Sequence, residues 1–291
     1  MTRPSEIHPT AIVDPRAALG PDIRIGAYSV IGEEVSLGAG TEIGHHVVLE
    51  GMVVVGERCR IGHGSVVGSA PQDLKYREGT PSGVRIGNDT VIREYVTVHR
   101  SAQEHGWTLI GDGNLIMAAS HIAHDCRLGN RVIVINYAGL TGHVEVEDFA
   151  VIGGLTGIHQ FTRIGAYAYV GGCSKVVQDV PPCVIVDGNP AAARSVNVVG
   201  LRRNGIEREI RGDVQRAFRI LYRSGLPPRR ALERIRSEVP PSPLVNHLVE
   251  FIEASRRGIC GPPNRHGDDS SNVEDEAARV SAGGEEESRF F

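Results

Sequence analysis

Aromatic side chains are scarce in this chain: they make up 5% of its 291 residues, and there is a single Trp. A mixed α/β core of this length usually buries more rings. Their scarcity, beside 36 Gly, points to a core of stacked aliphatic side chains. No stretch approaches 18 apolar residues, so no apolar membrane span is expected. The first thirty residues hold Asp14, Asp22 and several Pro where a secretory signal would hold an apolar run. The five Cys, at 59, 126, 173, 183 and 260, form no C-x-x-C pair and no disulfide framework, and Cys126 and Cys173 read as packing residues. These absences fit a cytoplasmic enzyme or binding protein, and nothing calls for a nucleic-acid partner.

Charge is uneven. The formal total is −4, yet residues 262–291 hold eight acidic residues and three Arg, a local −5. Between 200 and 261 thirteen Arg face seven acidic residues, a local +6.

What is present is a repeat. Stepping by six from Ile7 to Val67 meets an aliphatic residue every time, and so does stepping from Ile110 to Val176. Ile86, Ile92 and Val98 share the second frame. An α-helix cannot explain this, because six residues turn about 600° and spread the apolar positions around its axis. A plain strand alternates every two residues. Short straight segments joined by tight turns do explain it, with the aliphatic residue inward and a following Gly or small polar residue permitting the bend. Three segments close a triangular coil of 18 residues. The pattern resembles the hexapeptide-repeat acyltransferase superfamily. That resemblance implies an all-β left-handed parallel β-helix, an exception to right-handed crossovers.

Two interruptions, Ser69–Arg85 and His99–Thr108, are expected to loop out, and loops on a rigid scaffold often carry function. The repeat fades after Val186, and helical spacing from Gly205 to Gly258 predicts three helices, broken at Gly225-Leu-Pro-Pro and Pro240-Pro-Ser-Pro. The expected domains are therefore a β-helix over 1–190, a C-terminal α-helical domain over 191–261 and an acidic tail over 262–291. The tail is too poor in apolar residues to order itself.

An 18-residue coil stacks Ile122, Leu140 and Ile158 in one column, roughly 4.8 Å apart. His121 and His124 flank Ile122, His143 lies three after Leu140, and His159 follows Ile158, so four imidazoles are expected at one corner. Gly142 stacks above His124, and Gln160 above Gly142. Three readings are open: polar decoration of an exposed turn, a zinc site of the kind His supplies, or general base catalysis with Asp125 orienting His124.

The segments HIAHDC (121–126), TGHVEV (141–146), GGLTGIHQF (153–161), PQDLKY (71–76), IREYVTVHR (92–100) and VGGCSKVVQDVPP (170–182) resemble the UDP-N-acetylglucosamine O-acyltransferase family, which begins lipid A synthesis. The likeness runs from residue 7 to about 257, and PQDLKY is its most discriminating element. It implies acyl transfer from acyl carrier protein to a UDP-sugar by a homotrimer, without cofactor or metal. It implies further that His124 is the base, that Asp125 orients it, and that the Gly142 N–H stabilises the oxyanion. Asp73, Lys75, His121, His143, His159 and Gln160 would hold the sugar and its phosphates. Asn197 and Arg203 would contact the nucleotide, and Gly172 would sit at the chain-length gate and admit long acyl chains. The Arg surplus would dock the acidic carrier protein. Two positions depart from the family pattern: Val199 stands where an acidic residue is common, and Asn204 where a second Arg is. The competing readings are the N-acyltransferase of the same pathway, a metal-dependent β-helix hydratase and a non-catalytic assembly subunit.

Overall fold

The computed structural model describes residues 5–263. Short strands, most of them two residues long, form three sheets of 11, 9 and 8 strands. The sheets are the faces of a left-handed prism. Pairing is parallel throughout except for a terminal hairpin, Val184–Gly188 with Ala191–Val196. The expected division at 190/191 falls in the turn of that hairpin.

Register follows the 18-residue coil: Ile122 pairs with Leu140, and Leu140 with Ile158. The periodic aliphatics from Ile25 to Val186 are almost completely buried. A second set of small residues, two before each aliphatic, is buried with them, among them Ser29, Thr41, Ser120, Cys126, Ala138 and Thr156. Their hydroxyls and thiols donate to corner carbonyls 15 residues on, as Ser29 Oγ does to Gly44 O and Cys126 Sγ to Thr141 O. Large and small side chains thus fill the narrow prism without rings, and of this layer's buried hydroxyls Thr162 Oγ1 stands without a partner among the described residues. Cys126 belongs to this layer, and burial pushes its thiol up to about 12. Cys173, expected to pack, is instead exposed at a corner.

The expected role of the glycines needs correcting. The bend is made three residues after the aliphatic, where φ is near +60°, and most of these positions are not glycine: Tyr28, His46, Arg58, Asp125, Tyr137 and His143 all adopt it. The glycine directly after the aliphatic serves close stacking. A Cβ on Gly26 would lie 2.5 Å from Gly44 O in the next coil.

At one corner a polar ladder caps the stack. Asn88 Oδ1 accepts from Glu57 N, Asp112 from Asn88 N, Asn130 from Asp112 N and Asp148 from Asn130 N, at 2.6–2.8 Å.

The two interruptions are insertions of different length. Val66 pairs with Thr97, 31 residues on, so the loop over 70–82 adds thirteen residues and shifts the frame by one. Thr97 pairs with His121, 24 on, so the loop over 100–106 adds six and preserves it. Against expectation, His99 and Trp107–Ile110 remain in strands.

Beyond the hairpin come α1 (Val198–Arg203), α2 (Arg208–Arg223), α3 (Pro228–Glu238) and α4 (Pro243–Glu253). The last three are the expected helices, and α1 is additional. Pro at the first turn of α3 and α4 supplies a φ already suited to a helix start. Several contacts tie the helical region to the prism. His247 Nε2 lies 2.6 Å from Glu147 Oε2, and the buried Asp179 accepts from Ser255 Oγ at 2.7 Å. No helix of the described residues is long and apolar enough to cross a membrane. Apart from Pro262 and Pro263, the acidic tail lies outside the described residues.

Candidate active site

The corner after the strand His121–Ile122 carries His124 and Asp125, with Asp125 in the left-handed conformation. One coil on, Gly142 and His143 occupy the same register, and Phe161 follows in the third coil. His124 is buried, and its Nδ1 lies 2.8 Å from Asp125 Oδ2. His143 Nε2 is 3.7 Å from the same oxygen. The rings of His124 and His143 meet edge to face at 5.2 Å, and His143 stacks flat on Phe161 at 4.6 Å.

Gly142 is dictated by this packing. A Cβ there would lie 2.5 Å from His124 Cε1 and 2.6 Å from Nε2. The backbone N–H of Gly142 has no hydrogen-bond partner among the described residues, whereas the equivalent N–H groups of Asn88, Asp112 and Asn130 are each capped by a side chain. His124 Nε2 is likewise without a protein partner among the described residues. The corner thus presents an imidazole nitrogen backed by a carboxylate beside a free backbone donor, the parts a proton abstraction with oxyanion stabilisation requires.

Asp125 is held from several sides. Ser101 Oγ donates to Oδ1, Ala102 N–H to Oδ2 at 3.2 Å, and the Asp125 N–H donates to Thr108 Oγ1 at 2.9 Å. Burial pushes its carboxyl up, but the Ser101 hydroxyl, the His124 imidazole and the Ala102 N–H outweigh that and hold it below the usual carboxylate range.

His121 lies on the strand, with Nδ1 2.7 Å from Thr97 Oγ1. Behind it, His99 packs edge to face at 4.7 Å. Burial pushes His99 down to about 4 and also lowers His121. Both rings are therefore neutral near pH 7. His99 Nδ1 is buried and unpartnered.

One chain brings together His121, His124, Asp125, Gly142 and His143. His159 faces Arg257 Nη2 at 3.2 Å, and Gln160 is exposed in the register above Gly142. Asp73 and Lys75 sit in the 70–82 loop, where Asp73 Oδ1 accepts from Lys75 N at 2.9 Å and the intervening Leu74 is fully exposed. Arg100 ties this loop down by donating to Tyr76 Oη and to Gly68 O. No hydrogen bond or ion pair among the described residues joins Asp73 or Lys75 to the histidine corner. Asn197 is buried and caps α1: its Oδ1 accepts from Gly200 N and its Nδ2 donates to Tyr167 O, each at 2.9 Å. Its side chain is therefore engaged within the chain. Arg203 is exposed at the end of α1. Gly172 is exposed, and a Cβ on it would meet only Gly154 O, at 3.3 Å.

Ser101, Thr97, His99, Phe161 and Arg257 complete the site and were not singled out from the sequence. Thr97 and His99 stand beside His121 only once the six-residue insertion is removed from the register, which Glu104 signals by standing where the step from Val98 to Ile110 calls for an aliphatic residue. His124, Asp125 and His143 are also near enough to hold a cation, with ligand atoms within 4.8 Å of one another. Their Nδ1–Oδ2 contact has hydrogen-bond geometry, in which a shared proton takes that place.

A family model described as Udp N-acetylglucosamine O-acyltransferase, domain 2, matches residues 179–260. An acyl-[acyl-carrier-protein]–UDP-N-acetylglucosamine O-acyltransferase of Thermodesulfovibrio yellowstonii is 51% identical over 257 residues, 88% of this chain and 99% of that one. One of Burkholderia orbicola is 47% identical, over 89% and 99%. The solved UDP-N-acetylglucosamine acyltransferase of Campylobacter jejuni superposes with a TM-score of 0.84 at 37% identity, covering 89% of this chain and all of that one. That of Francisella novicida gives 0.84 at 35%, over 89% and 95%.

Proposed function

The chain belongs to the acyl-[acyl-carrier-protein]–UDP-N-acetylglucosamine O-acyltransferase family, and on that premise we propose that it transfers a 3-hydroxyacyl group from acyl carrier protein to the 3-position of UDP-N-acetylglucosamine, the first step of lipid A biosynthesis, with His124 as general base. The observation that carries the assignment of the base is the His124 Nδ1–Asp125 Oδ2 contact of 2.8 Å beneath Gly142, which leaves Nε2 open.

The chemistry follows from that geometry. Nε2 takes the proton of the sugar 3-hydroxyl as its oxygen attacks the thioester carbonyl. Asp125 stabilises the imidazolium that forms. The Gly142 N–H donates to the carbonyl oxygen as it becomes an oxyanion. When the tetrahedral intermediate collapses, the C–S bond breaks and the thiolate recovers the proton from His124. A thiolate is a good leaving group, so the step needs no metal.

His121, His143, His159 and Gln160 line the route by which the sugar and its phosphates enter. Asp73, Lys75 and Arg203 complete the site from neighbouring subunits of a homotrimer. Leu74 between them is fully exposed, and no hydrogen bond or ion pair among the described residues joins Asp73 or Lys75 to the histidine corner of their own chain, which supports this. Asn197 contributes by fixing the start of α1, next to the nucleotide. The Arg-rich helices dock the acidic carrier protein, and the compartment is the cytoplasm. Gly172, Gly154, Asn136 and Ala118 form an open column in which a long acyl chain can lie.

The test is turnover with UDP-N-acetylglucosamine and 3-hydroxyacyl carrier proteins of graded chain length, with products identified by mass spectrometry. The expected product is the 3-O-acyl sugar nucleotide, formed best from a long donor. His124→Ala is expected to lower kcat by about 10²–10⁴ with the fold intact. Near-native turnover in that variant sinks the assignment of the base.

A further inference from the structure

We propose that Ser101 is a positioning residue for the reaction, whose buried hydroxyl holds the Asp125 carboxylate in line with His124. The inference rests on His124 being the base.

The direction of the hydroxyl follows from its neighbours. Ser101 is completely buried. Its Oγ accepts from the Gln103 N–H at 3.0 Å, which occupies a lone pair. Asp125 Oδ1 is its nearest partner, the Gln103 carbonyl lies at the outer limit of 3.5 Å, and an ionised carboxylate has no proton to give. The Ser101 hydroxyl therefore donates to Asp125. With Ala102 N–H and His124 on Oδ2, both carboxylate oxygens are engaged, and the Asp125 side chain is 8% exposed. A carboxylate so placed cannot rotate without leaving a buried donor unmet. Its Oδ2 thus stays on His124 Nδ1, and Nε2 stays aimed outward.

The placement gives the six-residue insertion a purpose. An uninterrupted coil would continue as a corner after the strand Thr97–His99. Here the chain leaves the coil and returns Ser101 and Ala102 beside Asp125, 24 and 23 residues ahead of it. The alternative is that Ser101 only closes the loop. Ser82 Oγ donates to its carbonyl, and a Cβ on Gly106 would lie 2.2 Å from its Oγ.

The experiment separates these roles. Ser101→Ala removes the donor. The expected result is a fall in kcat of about tenfold, the size of one hydrogen bond to a charged group, with both KM values within about twofold. The acid limb of the kcat/KM profile is expected to move to higher pH, because fewer donors then share the Asp125 charge and more of it acts on His124. Ser101→Cys, of similar size but a weaker donor, should show the same changes in smaller measure and serves where Ala disturbs the loop. In an Asp125→Ala background, Ser101→Ala is expected to cost nothing further. A native kcat, an unmoved limb, or a loss that persists in the Asp125→Ala background overturns the proposal. If His124→Ala retains turnover, it is the assignment of the base that fails.

Discussion

The prism holds two stacks of histidine at equivalent positions, and only one is a site. His45 and His63, like His124, each lie two residues after a buried aliphatic, at Ile43, Ile61 and Ile122. His45 and His63 stack in parallel at 4.9 Å. Their Nδ1 atoms accept backbone N–H groups, His45 from Ala27 and His63 from His45, each at 2.8 Å. They are turn caps. At His124 the coil above contributes Gly142, which has no side chain to cap anything, and Nδ1 turns to Asp125. One glycine and one carboxylate convert a capping position into an acid–base position. A histidine count does not distinguish the two stacks; the partner of each ring nitrogen does.

The largest effect that would break this comparison comes from restoring a side chain at the glycine. Gly142→Ala places a Cβ 2.5 Å from His124 Cε1, so the ring must move. We expect kcat to fall by about 10² or more, with displacements near 1 Å sufficient for a loss of that order. Unchanged turnover would show that His124 tolerates relocation.

A second test concerns pH. Burial holds the folded His99 near 4, below its ordinary 6.5. The unfolded chain therefore binds a proton that the folded chain does not as pH falls between those values, and stability present above 6.5 is lost toward 4. His247 has the opposite sign: its bond to Glu147 raises it, so its contribution is present at low pH and lost as pH rises through the raised value. Urea midpoints of His99→Phe should fall less between pH 7 and pH 5 than those of the native chain. Equal falls would mean that His99 takes up its proton without cost.

The smallest effect is expected in the capping stack. His63→Ala should leave kcat within about twofold and cost about 1 kcal/mol of stability, as loss of a capping side chain does. A large loss of activity would make the two stacks functionally alike.

The coil period made the essential part of the site legible. Stepping by 18 brought Gly142 over His124 and His143 toward Asp125. What stayed hidden lay where the period breaks. His99 precedes an insertion and Ser101 lies within it, and their place beside His121 and Asp125 depends on the path of that insertion. The corner conformation was also illegible, since Tyr28, Arg58 and His143 take a φ usually left to Gly. Here the stack on either side enforces what local preference opposes. Helix α1, six residues long, was too short to show a period. Asn197 is legible as a residue type but not by its hydrogen bonds, and those bonds make it a cap.

The ladder Asn88–Asp112–Asn130–Asp148 alternates neutral and charged rungs. Its carboxylates fall on every second coil, about 9.6 Å apart at the strand spacing. That is close to the Debye length of roughly 10 Å at 0.1 M salt. Each acidic rung therefore gives its backbone donor a charge-assisted bond, while mobile ions largely screen it from the next acid. Replacing Asn130 with Asp would bring three successive carboxylates to about half that spacing, well inside the screening distance, and make the stability of this corner depend on salt.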